Sequence, residues 1–179
     1  KTAGVDGIKN LKPKQRFNLV KMLKRTTKKA KPTRRVWIPK PGRDEKRPLG
    51  IPSMYDRALQ GLYKMALEPE WEARFEPNSY GFRPGRSAHD AIGQIYSCIN
   101  RKPKYVLDAD ISKCFDRINH KALLDKIGQF HGRRLIRRWL KAGVVDDGQF
   151  QEIVEGTPQG GVISPLLANI ALHGMEEAI

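Results

Sequence analysis

"YVLDADISKCFDRI", Tyr105 to Ile118, sets three aspartates in a largely apolar run. "YVLDADI" reads as a strand, with Asp108 and Asp110 inside it and Asp116 just beyond. Side chains two apart on a strand share a face, so the first two carboxylates would project together. Like charges held that close repel unless a cation lies among them. A carboxylate facing a core is costly unless something pairs with it. One solution is arginine. The other is a hard divalent cation, since magnesium takes one or two carboxylates together with phosphate oxygens. Spacing alone leaves both open.

Composition narrows the choice of partner. The 179 residues carry 34 Lys+Arg against 19 Asp+Glu, a net charge of +15, while 39% hydrophobic residues suffice for a packed core. Such an excess points to a polyanion, nucleic acid first and an anionic membrane surface second. No apolar run approaches the roughly 18–20 residues of a spanning helix. No basic amphipathic stretch is apolar enough to favour a membrane surface, so no membrane is expected. Lys1 in place of Met suggests a piece of a longer chain. Cys98 and Cys114 lack metal-site spacing and read as reduced, core or half-buried thiols. That suits the cytoplasm, or an organellar matrix in a eukaryotic host.

Outward from the opening stretch, the chain divides into recognisable pieces. "PKQRFNLVKMLKR" places Phe17, Val20 and Leu23 at helical spacing. The cation run "KKAKPTRR", with Lys28, Lys29, Lys31 and Arg34, is either a solvated loop or a phosphate-contacting surface. "RRVWIPKPGRDEKRPLGIPS" reads as a β-hairpin tipped with Lys40, Arg43, Lys46 and Arg47, its prolines favouring edge strands. "DRALQGLYKMALEPEWEARF" is a helix whose core stripe is Leu59, Leu62, Tyr63, Ala66 and Leu67. Ser87 and Asp90 form a capping box for a helix with Ile92, Ile95, Tyr96 and Ile99 as its core face. Before it, Arg83 and Arg86 interleave with Tyr80 and Phe82, which suits stacked bases and phosphates or simply a surface loop. Helices capped by Asn119 and spanning "RRLIRRWLKAG" follow. Then come a hairpin turning at Asp147-Gly148 and a glycine-rich loop leading to a helix with Ser164 as N-cap and Pro165 at its first position.

Five of these stretches, in order, resemble the reverse transcriptases encoded by group II introns: "AGVDGI", "RPLGIPSMYDRALQ", "SYGFRPGRSAHDAI", "DADISKCFDRINH" and "TPQGGVISPLLANI". Enzymes of retrons, diversity-generating elements and CRISPR-associated systems share parts of the set, but "GVISPLLANI" is most like the intron type. The resemblance implies an α+β fold. Residues 1–104 would be the fingers, helices plus the β-hairpin with a basic N-terminal extension. Residues 105–179 would be part of the palm, an antiparallel sheet backed by helices. It implies an RNA-directed DNA polymerase, a nucleotidyltransferase of a mobile element that uses two Mg2+ ions. Its partners would be group II intron RNA, an RNA template with a DNA primer, and deoxynucleoside triphosphates. The alternative is a maturase role, gripping intron RNA to assist splicing without polymerising.

Site residues carry over by the same resemblance. Asp110, five before Phe115, would be the catalytic metal ligand, with the Ile111 carbonyl a second contact. Phe115 would be the steric gate against a ribose 2′-hydroxyl. Asp108 would be a supporting or salt-bridged carboxylate and Asp116 a helix-start residue. Lys40 and Arg47 would hold the incoming triphosphate, and Gln159 would line the nucleotide and template pocket. Gly160 and Gly161 would let backbone approach the nucleic acid. The family's Tyr/Phe-x-Asp-Asp hairpin occurs nowhere in the 179 residues, so this segment alone is expected to be inactive. The sequence leaves dimerisation open.

Overall fold

The computed structural model describes residues 2–24, 29–42 and 44–178. Helix α1 spans Pro13–Leu23, strands β1 and β2 Thr33–Pro39 and Lys46–Ile51, and helices α2 and α3 Met54–Glu72 and Ala88–Ile99. A short 3₁₀ turn at Cys114–Asp116 leads into α4 (His120–Ile127) and α5 (Arg133–Leu140). Strands β3 (Val144–Asp146) and β4 (Gln149–Gln151) precede α6 (Ser164–Leu172) and the short α7 (Met175–Ala178). The fold is α+β, as expected.

The hairpin β1–β2 is antiparallel, with Ile38 opposite Arg47 and Pro39 opposite Lys46. The second hairpin, β3–β4, turns at Asp147 and Gly148, with φ 44° and 82°. Two positive φ values in succession are the mark of a tight primed turn. The two hairpins join through a parallel pairing of Thr33 with Val144 and Arg34 with Val145. The sheet order is therefore β2-β1-β3-β4, and it is mixed. Proline had suggested that both hairpin strands are edges; only β2 is, and β1 lies inside.

Local signals fix the helix ends. Ser53 Oγ accepts from Asp56 N at 3.1 Å at the start of α2, and Asn119 Oδ1 accepts from Ala122 N at 2.9 Å at the start of α4. The Ser87–Asp90 capping box is present. Ser164 is helical itself rather than the cap: Ile163 holds the cap position, and the Ser164 hydroxyl accepts from Thr157 Oγ1 at 3.0 Å.

One core joins the early and late parts of the chain. Leu59, Leu67 and Trp71 of α2 cluster with Leu123, Ile136, Leu140, Leu167 and Ile170. Of the expected α2 stripe, Leu62 and Ala66 are exposed, because the helix meets neighbours over a narrower face than its apolar residues cover. Asp56 is buried within this assembly. Its carboxylate accepts from Ser53 Oγ at 2.6 Å, from Trp139 Nε1 at 3.1 Å and from Lys31 N at 3.4 Å. The "AGVDG" lead docks on the same corner: Asp6 Oδ2 accepts from Met54 N at 2.7 Å. A Cβ on Gly4 would lie 2.4 Å from Pro52 O.

Three expectations fail here. Residues 103–111 form no strand, and Tyr105, Val106 and Leu107 are exposed. A strand exists by pairing, and no described strand lies beside this one. The α3 face of Ile92, Ile95, Tyr96 and Ile99 is 46–66% exposed rather than core, because no described residue covers it. Phe17 and Val20 of α1 are likewise exposed, and only Leu23 packs on the core. Cys98 is exposed and Cys114 half-buried.

Glu76 ties the end of α2 to the end of α6. Its carboxylate accepts from His173 Nδ1 at 2.9 Å and from the Gly174 N–H. Burial alone would raise the Glu76 carboxyl. The hydrogen bonds from His173, from its own backbone and from Gly174, with the His173 charge, outweigh that and hold it at about 2. The folded value lies below the ordinary 4.5, so Glu76 contributes stability in full above about 4.5. That contribution is lost as pH falls towards about 2. Melting temperatures should therefore show Glu76→Gln clearly below wild type at neutral pH, with the gap closing towards pH 2. A gap that stays constant with pH would assign Glu76 a role independent of its charge.

Candidate active site

Two chain segments far apart in sequence are clamped by their backbones. Thr157 N donates to Phe115 O at 2.7 Å, and Gly156 N donates to Ile118 O at 2.8 Å. Gly156 has φ 84°, and a Cβ there would lie 2.7 Å from Asp116 O. The buried His120 adds a third tie, its Nε2 lying 2.6 Å from Gly156 O. The aspartate-bearing stretch and the "TPQGG" loop are thus one unit.

The loop is also pinned to the hairpin and to α2. Gly50 N donates to Gln159 O at 2.6 Å, and Val162 N donates to the buried Gln60 Oε1 at 2.9 Å. A Cβ on Gly161 would lie 2.4 Å from Ser164 Oγ. Gly160 is exposed with φ 102°, and a Cβ there would lie 3.2 Å from Gly50 O.

The outcome is a cleft of about 960 Å3 lined by Lys40 and Arg47 from the hairpin, Ile111 and Arg117 from the aspartate stretch, and Gln159 from the loop. Cations dominate: Lys40, Lys46, Arg47, Lys113 and Arg117 face Glu45, Asp116 and Glu155. Lys40 already pairs with Glu45 at 2.5 Å, whereas Arg47 is exposed. Asp110 lines an adjoining cavity of about 600 Å3 that shares Ile111, Cys114 and Arg117 with the cleft. Burial pushes the Cys114 thiol up, and the nearby Asp110 charge adds to it. Asp108 lines neither cavity, and the strand that was expected to hold Asp108 and Asp110 on one face is not formed.

Among the described residues no three His, Cys, Asp or Glu side chains gather as a metal cage. Asp110 is one exposed carboxylate beside a cationic cleft. That donor set fits a hard divalent ion whose other ligands are phosphate oxygens and water. It does not fit an ion held by protein alone.

Phe115 is half-buried, packs on the core, and meets Phe82 edge-to-face with centroids 6.0 Å apart. Phe82 holds a positive φ of 60° and stays exposed, so the loop presents its ring to Phe115. The sequence left Phe82 open between base stacking and a surface loop, and its contact with Phe115 was not foreseen. Sequence reasoning also missed Gln60, His120, Thr157 and Gly156, whose roles depend on partners more than 30 residues away or on a φ value.

The expected nucleic-acid contacts divide. Arg83 is corrected: it is buried, pairs with Glu72 at 2.9 Å, and donates to the carbonyls of Glu76 and Ser79. A guanidinium enclosed this way has no fork left for phosphate. Arg34 Nε is engaged with Ala3 O at 2.8 Å. Arg86 is half-buried over the Tyr80 ring and donates to Pro77 O. Lys29 and Lys31 are exposed, while Lys28 and Arg43 lie outside the described residues.

A basic hairpin and a glycine-rich loop thus converge on one cleft, with the Asp110 carboxylate in the cavity beside it. Residues 38–179 match the family described as reverse transcriptase (RNA-dependent DNA polymerase), and the chain belongs to that family. Its type is that of the group II intron proteins. It is 38% identical over 178 residues to the group II intron-encoded protein LtrA of Lactococcus lactis, covering 97% of this chain and 29% of the relative. It is 43% identical over 154 residues to protein YkfC of Escherichia coli, covering 82% and 40%. An uncharacterized 91 kDa protein in the cob intron of Schizosaccharomyces pombe is 39% identical over 152 residues, covering 83% and 19%. The chain thus spans well under half the length of these relatives. No helix among the described residues is long and apolar enough to cross a membrane.

Two glycines test the clamp. Gly156→Ala must strain the backbone by about 1–3 kcal/mol before any clash with Asp116 is counted, so its melting temperature should fall sharply. Gly61→Ala, inside α2 and with only Val162 Cγ1 at 4.0 Å, should be neutral or stabilising by up to about 1 kcal/mol. Equal melting temperatures for the two variants would remove the clamp from the account.

Proposed function

We propose that this chain is the fingers (1–104) and front-palm (105–179) segment of an RNA-directed DNA polymerase of the group II intron type. The observation that carries the reading is the convergence of Lys40, Arg47, Ile111 and Gln159 on one cleft, with Asp110 in the adjoining cavity. These residues come from three separate stretches of sequence.

In this reading Arg47 holds the incoming triphosphate, its planar fork matching two phosphate oxygens, and Lys40 adds a point charge once Glu45 yields it. Asp110 supplies carboxylate oxygens, with the Ile111 carbonyl beside it, to a divalent ion. Two magnesium ions, when bound, would activate the primer 3′-hydroxyl and neutralise the pyrophosphate leaving group. Phe115, braced by Phe82 and by the Thr157 hydrogen bond to its carbonyl, fills the space a ribose 2′-hydroxyl would need. Gln159 lines the wall shared by nucleotide and template. Lys29, Lys31 and Arg86 contact RNA phosphate. The net charge of +15 also supports a second reading, in which the same surface grips intron RNA to assist splicing without synthesis.

The experiment is primer extension on an RNA template. The 179 residues alone, lacking a Tyr/Phe-x-Asp-Asp hairpin, should not extend it. In a longer polypeptide carrying these residues together with that hairpin, Asp110→Asn should lower synthesis by roughly 100-fold or more while leaving RNA binding unchanged. Asp108→Asn should be mild. Phe115→Ala should retain synthesis and admit ribonucleotides. Full synthesis by Asp110→Asn, or loss confined to Asp108→Asn, would defeat the assignment. Splicing assistance that survives Asp110→Asn would support the second reading beside the first.

A further inference from the structure

Helix α5 carries "RRLIRRWL", and its two faces could hardly differ more. Leu135, Ile136, Trp139 and Leu140 are buried in the core, whereas Arg133, Arg134, Arg137 and Arg138 are exposed. At positions i, i+1, i+4 and i+5 the four guanidinium groups occupy one side of the helix. Arg133 alone is engaged, pairing with Asp125 at 3.1 Å and donating to Leu124 O. No ion pair reaches Arg134, Arg137 or Arg138 from any described residue.

These arginines line a concavity of about 840 Å3 whose walls include Tyr63 and Phe130 and contain no Asp or Glu. It shares no lining residue with the cleft that holds Lys40, Arg47 and Gln159. Like charges packed this closely repel, by a few tenths of a kcal/mol for each helical pair. Nothing in the core requires them, because the apolar face alone anchors the helix. The set is all arginine, the side chain whose fork bonds phosphate in two places.

We propose that the exposed face of α5 is a second RNA-binding surface, which grips the phosphate backbone of a structured RNA outside the template cleft. This rests on the reading that RNA is the chain's partner and adds where the RNA is held. The contact is to phosphates, so it carries little sequence preference and depends steeply on salt.

The test uses the full chain and a labelled RNA hairpin, titrated over a series of salt concentrations. The triple variant R134A/R137A/R138A should fold with an unchanged melting temperature, since alanine suits an exposed helical face. It should bind the hairpin roughly 10- to 100-fold more weakly at low salt, with a log–log salt slope shallower by about 2. R134K/R137K/R138K keeps the charge but loses the forks, so it should retain most of the slope and only part of the affinity. Hairpin binding by the alanine variant equal to wild type, with wild type binding well, would overturn the α5 surface and leave the proposed function standing. Failure of the wild-type chain to bind any RNA would instead remove the RNA partner and this inference with it. Loss of binding seen only with phosphatidylglycerol vesicles, and not with the hairpin, would assign the arginines to a membrane surface and overturn the proposal.

Discussion

Everything at the site depends on the backbone clamp between residues 115–118 and 156–157. Two hydrogen bonds, Thr157 N to Phe115 O and Gly156 N to Ile118 O, hold strands of chain that no sheet ladder joins. Gly156 makes the approach possible, since a Cβ there would overlap the Asp116 backbone. From this clamp the geometry spreads in both directions. Upstream it sets the carbonyl and ring of Phe115 and the start of α4. Downstream it aims Thr157 at Ser164 and delivers Gln159 to Gly50 of the hairpin. The cleft exists because one loop is tied at once to the aspartate stretch, to the hairpin and, through Gln60, to α2.

The charges fall into two populations with different physics. Some are enclosed and spent on architecture: Arg83 with Glu72, Asp56 among Ser53, Trp139 and the Lys31 backbone N–H, and Glu76 with His173. Removing Glu72 would leave the buried Arg83 guanidinium without its counter-charge, which costs up to about 3–5 kcal/mol. Others are left open: Arg47 in the cleft, Lys29 and Lys31 ahead of β1, and three arginines on α5. A basic protein needs both kinds, and composition counts them alike. The net charge of +15 is compatible with a polyanionic partner but does not say which cations are open to meet one.

Apolar surface divides in the same way. The faces of α2, α4, α5 and α6 close on one another around Leu59, Ile136, Leu167 and Ile170. The face of α3 and the side chains of Tyr105, Val106 and Leu107 remain in solvent. Their patterning is that of buried elements, yet burial needs a second surface, and none of the described residues supplies it. Asp110 sits at the end of this uncovered stretch.

The sequence by itself determined what is local. Caps at Ser87 and Asn119, the Asp147-Gly148 turn, the basic hairpin and the helix periods follow from side chains reaching their own neighbours within a few residues. Motif order likewise pointed to the family and to a short list of candidate site residues. Only the tertiary structure decided which of them share a cleft, and that Arg83 is a buried strut while Arg134, Arg137 and Arg138 are open. It decided that β1 is interior through its parallel pairing with β3, and that Gly156, Gln60 and His120 hold the site together. The reason is physical: burial, ion pairing and strand pairing are properties of two surfaces, and a sequence read along its length shows one surface at a time.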